Sequence, residues 1–238
     1  MREELYDLSE QKVLIIGGSS RMGLEIARLS AMLGASVILS SRSNSKLEAA
    51  IASLPKGVTA YAANAAIEQE AAQLLQDLAP LDHIIVTASS GTSASSIPET
   101  SPEIAQAAFS RFWMSYHVLH FAPKVMRPSG SITLLSGSSG RRPVTGYGVW
   151  SSLHGSIESL VRPAVLELAP IRVNAISPGG IGLTPDRQLA HHAGQPIDIA
   201  KMAIALMTNP AVTNTVVDVD SGERLGTWSG QVSEEVTD

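Results

Sequence analysis

Short runs rich in β-branched residues and leucine alternate with longer periodic stretches along the chain, and this alternation restricts the fold more than any other feature. Val13 to Ile16, Ser36 to Ser40, Val58 to Tyr61, His83 to Thr87, Ser131 to Leu135, Arg172 to Ile176 and Thr215 to Val219 read as strands. Met22 to Leu33, Ile67 to Leu78 and Trp150 to Ala169 carry apolar residues at helical spacing and read as helices. Parallel strands need a crossover long enough to hold a helix, so repeated strand and helix units imply an α/β fold. The expectation is a doubly wound parallel sheet of about seven strands with helices on both faces. Ligands of such sheets sit beyond the carboxyl ends of the strands, which directs attention to the loops that follow them.

At 238 residues and 44% hydrophobic positions, the chain has enough apolar surface for one large core, and a single domain over 1–238 is expected, with 226–238 as a polar C-terminal tail. The net charge is −5 and the basic residues are scattered, which disfavours nucleic acid and anionic membranes as partners. There is no cysteine, so disulfides, zinc-thiolate sites and thiol nucleophiles are excluded, and no metal site is expected. The polar start MREELYDLSEQ and the absence of a long apolar run make the cytoplasm the expected location.

Val13-Leu14-Ile15-Ile16-Gly17-Gly18-Ser19-Ser20-Arg21-Met22-Gly23-Leu24 is a strand, a small-residue turn and a helix start, the arrangement that presents backbone N–H groups to a pyrophosphate. Gly17 makes the turn and Gly23 lets the helix pack on the strand. The second strand then ends Ser40-Ser41-Arg42, with no acid to hold a ribose 2′-hydroxyl. Two hydroxyls and a guanidinium suit a 2′-phosphate, so NADP(H) is favoured over NAD(H). The alternative is that Arg42 is a solvated surface charge. Arg21 either reaches a phosphate or crowds the turn.

The spacing resembles the TGxxxGxG turn of the short-chain dehydrogenase/reductase family, with Ile16 in the threonine slot and Arg21 where the middle glycine is usual. The resemblance continues through Asn64-Ala65, Leu81-Asp82, Ile171 to Gly179 and Asp218 to Gly222. It implies a Rossmann-type sheet with a cofactor held by Gly17, Ser19, Ser20, Arg21, Met22 and Gly23 at the pyrophosphate and by Ser41 and Arg42 at the adenosine phosphate. Asn64 and Ala65 fall near the adenine, Ala88 and Ser89 in a Ser/Gly/Ala-rich rim loop, and Pro178, Gly179, Ile181 and Thr184 beyond the sixth strand. It also implies a homodimer or homotetramer built on the fourth and fifth helices, with which the aromatic cluster from Phe109 to Tyr116 is compatible. Pro163 interrupts the fifth-helix pattern and is expected to kink it.

In this family a YxxxK pair, a serine and an asparagine carry the proton chemistry. Aligned on Gly140, these slots fall on Trp150, His154, Gly137 and Arg111, and none carries its usual group. Indole does not titrate in the working range, so Trp150 shapes, stacks or donates. His154, four residues on along the same helical face, is a candidate general acid, or it fills the lysine's space against the nicotinamide ribose. Tyr147 turns towards the pocket or is a rim aromatic. Ser138, ahead of Ser136, is a candidate to replace the serine, or the Ser/Gly loop has no role. Arg111 binds an anionic substrate group or snorkels to solvent at a subunit interface. His191 and His192 lie in a lid segment, lining an entrance or simply solvated.

Without the tyrosine, lysine and serine, ordinary carbonyl reduction lacks its acid and its oxyanion donor. The expected function is therefore NADP(H)-dependent hydride transfer to a preactivated small-molecule acceptor, an iminium, imine or activated enone, in which Trp150 stacks on a flat cation. The pattern resembles divergent fungal alkaloid-pathway reductases of the family. The alternatives are a catalytically silent NADP(H) sensor or scaffold, and a cofactor-independent lyase or cyclase.

Overall fold

Among the described residues, seven parallel strands form one sheet, with the third strand at one edge, the first beside the fourth, and the seventh at the other edge. The computed structural model describes residues 6–87 and 94–225. The strands are β1 Lys12–Ile16, β2 Ser36–Ser41, β3 Thr59–Ala62, β4 Leu81–Val86, β5 Met126–Leu135, β6 Arg172–Pro178 and β7 Val216–Val219. Between them run α1 Arg21–Met32, α2 Asn44–Ala52, α3 Glu68–Leu78, α4 Pro102–Ala108, α5 Ser110–Val125, α6 Gly148–Glu167 and α7 Pro196–Thr208.

Successive strand side chains point to opposite faces, and here both faces are covered, which is why the strands read as unbroken apolar runs. Leu14, Ile16 and Ile84 join a core with α3, α5 and α6. Val13, Ile15 and Ile85 face the other way, into a core with α1, α2 and α7. The chain builds outward from β1 to β3 and then crosses to β4 on the other side of β1, so a crevice opens beyond the carboxyl ends of β1 and β4.

Differences from the sequence reading are local. β5 reaches back to Met126 through the polar Arg127-Pro128-Ser129, where its register against β4 shifts between Leu81 and His83. Periodicity alone does not single out α2, α4 and α7, although α7 carries a start signal: Pro196 stands in its first turn and Asp198 Oδ2 accepts from Gln195 N at 3.0 Å. α6 continues through Pro163 as one helix. The tail at 226–238 lies outside the described residues. No helix among the described residues is long and apolar enough to cross a membrane.

A buried polar group ties the amino-terminal side of the sheet together. His83 Nε2 donates to Gln11 Oε1 at 2.6 Å, which leaves Nδ1 to accept from Ser131 Oγ at 2.8 Å. Burial, helped by the charge of Arg172, pushes the His83 pKa down to about 4. Arg172 in turn donates to the carbonyls of Leu206 and Met207 at 2.6 and 2.8 Å, at the carboxyl end of α7.

Candidate active site

The crevice between β1 and β4 is shaped for a dinucleotide. Gly17 takes a left-handed φ of +91°, and its N–H donates to Ser40 O at 2.8 Å, which turns the chain off β1 into α1. A Cβ on Gly23 would lie 2.6 Å from Thr87 Oγ1 and against the Gly17 carbonyl, so only glycine lets the first turn of α1 reach the strand ends. Ser20 precedes α1 without a side-chain cap, so the first amides of this 12-residue helix, at Arg21, Met22 and Gly23, are not claimed by a capping side chain. Ser19 is half-buried beside them. Arg21 is accommodated at the usual glycine position by a left-handed φ of +48°, with its side chain exposed.

Ser41 Oγ donates to Ser43 O at 3.4 Å, and Arg42 is exposed with no ion pair among the described residues. Asn64 spends its side-chain oxygen on the Ala66 N–H at 3.3 Å, and the carbonyl of buried Ala65 accepts from His117 Nδ1 at 3.0 Å. Ala88 and Ser89 lie outside the described residues. Pro178 closes β6, and Gly179 packs so tightly that a Cβ would fall 2.6 Å from Glu223 Oε2. Ile181 is exposed and bridges to Gly194, and exposed Thr184 precedes the turn Pro185–Arg187. The glycine turn and the uncapped helix start fit the pyrophosphate of a dinucleotide.

Across the crevice, Gly137, His154, Arg111 and Ser139 form one constellation. Gly137 follows β5, and a Cβ there would stand 2.6 Å from His154 Nδ1 and 3.0 Å from Nε2. The imidazole on α6 thus occupies the space above Gly137, and the two identities depend on each other. Arg111, in the first turn of α5, is buried and does not snorkel: its guanidinium donates to the carbonyls of Leu135 and Ser136 at 2.6 and 3.0 Å. These carbonyls belong to the last residue of β5 and to the residue that follows it. No acidic side chain among the described residues pairs with Arg111, and its Nε has no partner. Burial draws its pKa down to about 10, so it stays cationic at neutral pH.

Arg111 also approaches His154 Nε2 at 3.5 Å, and Ser139 Oγ lies 2.8 Å from His154 Nδ1. A guanidinium only donates, so Nε2 carries the lone pair and Nδ1–H donates to Ser139. Desolvation, followed by the charge of Arg111, pushes the His154 pKa down to about 3. This changes the expected role of His154: at neutral pH it is an oriented neutral imidazole, without the stored proton that a general acid of the expected kind needs. Trp150 lies one turn away, its ring centroid 5.9 Å from that of His154. Tyr147 is exposed and immediately precedes α6.

Ser138 is drawn away from this group. Its Oγ donates to Glu223 Oε2 at 3.1 Å, and the same oxygen accepts from Gly180 N at 3.2 Å. Ser136 donates to Glu158 Oε1 at 2.8 Å, and Arg141 joins Glu158 to Asp218. Ser139, rather than Ser138 or Ser136, therefore faces the histidine. The Ser136–Gly140 run announces a hydroxyl in this loop, but the choice among three serines depends on a short 3₁₀ turn, Ser138–Gly140, that no spacing reveals. His191 is exposed, and His192 Nε2 lies 2.7 Å from Asp198 Oδ2, away from the Arg111 group.

A family profile described as short chain dehydrogenase matches residues 11–193. The chain is 31% identical to short-chain dehydrogenase/reductase ATR9 of Stachybotrys chlorohalonatus, over 90% of this chain and 97% of that protein. It is 27% identical to short-chain dehydrogenase/reductase malC of Malbranchea aurantiaca, over 92% and 96% of the two chains. The solved structure of the MalC reductase/Diels-Alderase superposes with a TM-score of 0.86 at 25% identity, covering 94% of this chain and all of that one.

Proposed function

Because the chain belongs to the short-chain dehydrogenase/reductase family, whose members are oxidoreductases that generally bind NAD(P)(H), we propose that it is an NADP(H)-dependent reductase of preactivated acceptors: an iminium, an imine or an activated enone. The observation that carries this reading is the imidazole packed over Gly137. It fills the place from which a serine would act, and with a pKa of about 3 it stores no proton for a ketone's oxyanion. No tyrosine in the chain is followed four residues later by a lysine, so no other such pair exists to do the work. An acceptor that is already polarised needs hydride more than it needs an acid.

NADPH supplies that hydride when bound. The amides at the start of α1 and the turn at Gly17 hold the pyrophosphate, while Ser41 and Arg42 select the 2′-phosphate. Trp150 gives a flat acceptor a face to stack on. His154, fixed between Arg111 and Ser139, sets the floor of the site. The relative named a dehydrogenase/reductase and the solved structure named a reductase/Diels-Alderase support hydride transfer.

Fluorescence titration with NADPH and NADH, followed by turnover of a cyclic imine and of an enone, tests the proposal. NADPH should bind more tightly than NADH, and at least one acceptor should be reduced. Failure to bind NADPH would return the pocket to cofactor-independent chemistry. Binding without reduction of either acceptor would favour a sensor.

A further inference from the structure

The hydrogen bonds around His154 run in one direction. Arg111 donates to Nε2, Nδ1–H donates to Ser139 Oγ, and the Ser139 O–H then has no acceptor among the described residues. Ser139 is buried, at 7% exposure, so its oxygen is held by its neighbours while the O–H can turn to a new acceptor. The cation at the start of this chain has no carboxylate among the described residues to neutralise it. An unspent donor backed by an uncompensated buried cation stabilises negative charge and repels positive charge.

We infer that Ser139 is an oxyanion donor, polarised through His154 by Arg111, and that the acceptor class is the conjugated enone rather than the iminium. The inference rests on the hydride-transfer reading above. The β-carbon of the enone gains hydride from NADPH, which is oxidised to NADP⁺. The carbon–carbon π pair moves to the bond between the α-carbon and the carbonyl carbon, and the carbonyl π pair moves to oxygen. The resulting enolate oxygen accepts the Ser139 hydrogen bond; the carbonyl then re-forms as the α-carbon takes a proton from water, leaving hydroxide for the solvent to neutralise, and the saturated ketone results. No titrating acid is required, which agrees with a site whose histidine is neutral. An iminium reverses the electrostatics, since its positive charge would have to approach the Arg111 group.

Two measurements test this. The full chain with NADPH is offered cyclohexenone and N-methyl dihydroisoquinolinium, and kcat/KM for the enone should exceed that for the iminium by at least about tenfold. A faster iminium overturns the inference while leaving the hydride-transfer reading intact; reduction of neither overturns both. In Ser139→Ala, kcat for the enone should fall about thirtyfold, with KM and the NADPH Kd within about twofold of the parent. An unchanged kcat removes Ser139 from the reaction. The second measurement needs no turnover: para-nitrophenol, an oxyanion mimic, should bind as the coloured phenolate with its apparent pKa lowered. Ser139→Ala and His154→Leu should restore the dye's pKa towards its value in free solution. A dye bound as the neutral phenol, or a pKa unmoved by either substitution, overturns the relay.

Discussion

The two ends of the sheet each hold a buried histidine–serine pair, polarised in opposite directions. At the amino-terminal side, His83 Nδ1 meets Ser131 Oγ at 2.8 Å; at the carboxyl end, His154 Nδ1 meets Ser139 Oγ at 2.8 Å. The polarity is set by what touches Nε2. At His83 it is the amide oxygen of Gln11, so the ring donates there and the serine donates back to Nδ1. At His154 it is a guanidinium, so the ring accepts there and the serine is left with its proton unspent. The first group is closed on itself and acts as a structural tie. The second is open at one end and is directed by a charge. Similar composition, burial and depressed histidine pKa values therefore do not separate a structural cluster from a chemical one; the direction of the bonds does.

Breaking the closed group should produce the largest change. His83→Ala leaves Gln11 and Ser131 without their partner and opens a void, so urea denaturation should show a loss of about 3 kcal/mol, with hydride transfer at unchanged kcat in the folded fraction. Filling the open group comes next. Gly137→Ser forces the His154 ring aside, which should cost about 2 kcal/mol of stability and suppress enone turnover more strongly than it affects NADPH binding. Thermal melts at stepped pH should then show what the two groups share. Both histidines have folded-state pKa values below the unfolded value near 6.5, so the unfolded chain takes up protons first as the pH drops. Their stabilisation is complete above that pH. It should decline by about 1.4 kcal/mol per pH unit for each histidine as the pH falls towards about 4 for His83 and about 3 for His154. Replacing either histidine should remove its share of that slope. The smallest effect lies on the cofactor side: Arg42→Ala should weaken NADPH by about 1 kcal/mol and leave NADH unchanged, as isothermal titration would record.

The fold was legible because its cause is repetitive. Each strand buried on two faces must be apolar throughout, so the Val13, Ser36, His83 and Arg172 runs stand out without knowledge of their neighbours. The start of β5 is not legible because Arg127 to Ser129 are polar and fall where the register against β4 shifts between Leu81 and His83. The dinucleotide turn was legible for a related reason: Gly17 and Gly23 meet steric demands that only glycine satisfies. The proton-transfer half was not. That Arg111 turns inward depends on strand-end carbonyls 24 and 25 residues away in the sequence, and that Ser139 rather than Ser138 faces the ring depends on Glu223 drawing Ser138 aside. Such choices are made between elements, and residue type at a position carries no trace of them.

The imidazole above Gly137 also orders the mutational routes open to this site. A serine introduced at 137 meets an occupied volume, whereas position 154 can change first without a clash at a glycine. Any path towards a serine-based site must therefore pass through 154 before 137, and the same serine that is harmful as a first step becomes admissible as a second. The two positions, seventeen apart in the chain, are epistatic by contact, and single-substitution scans of either one will misjudge what the pair can become.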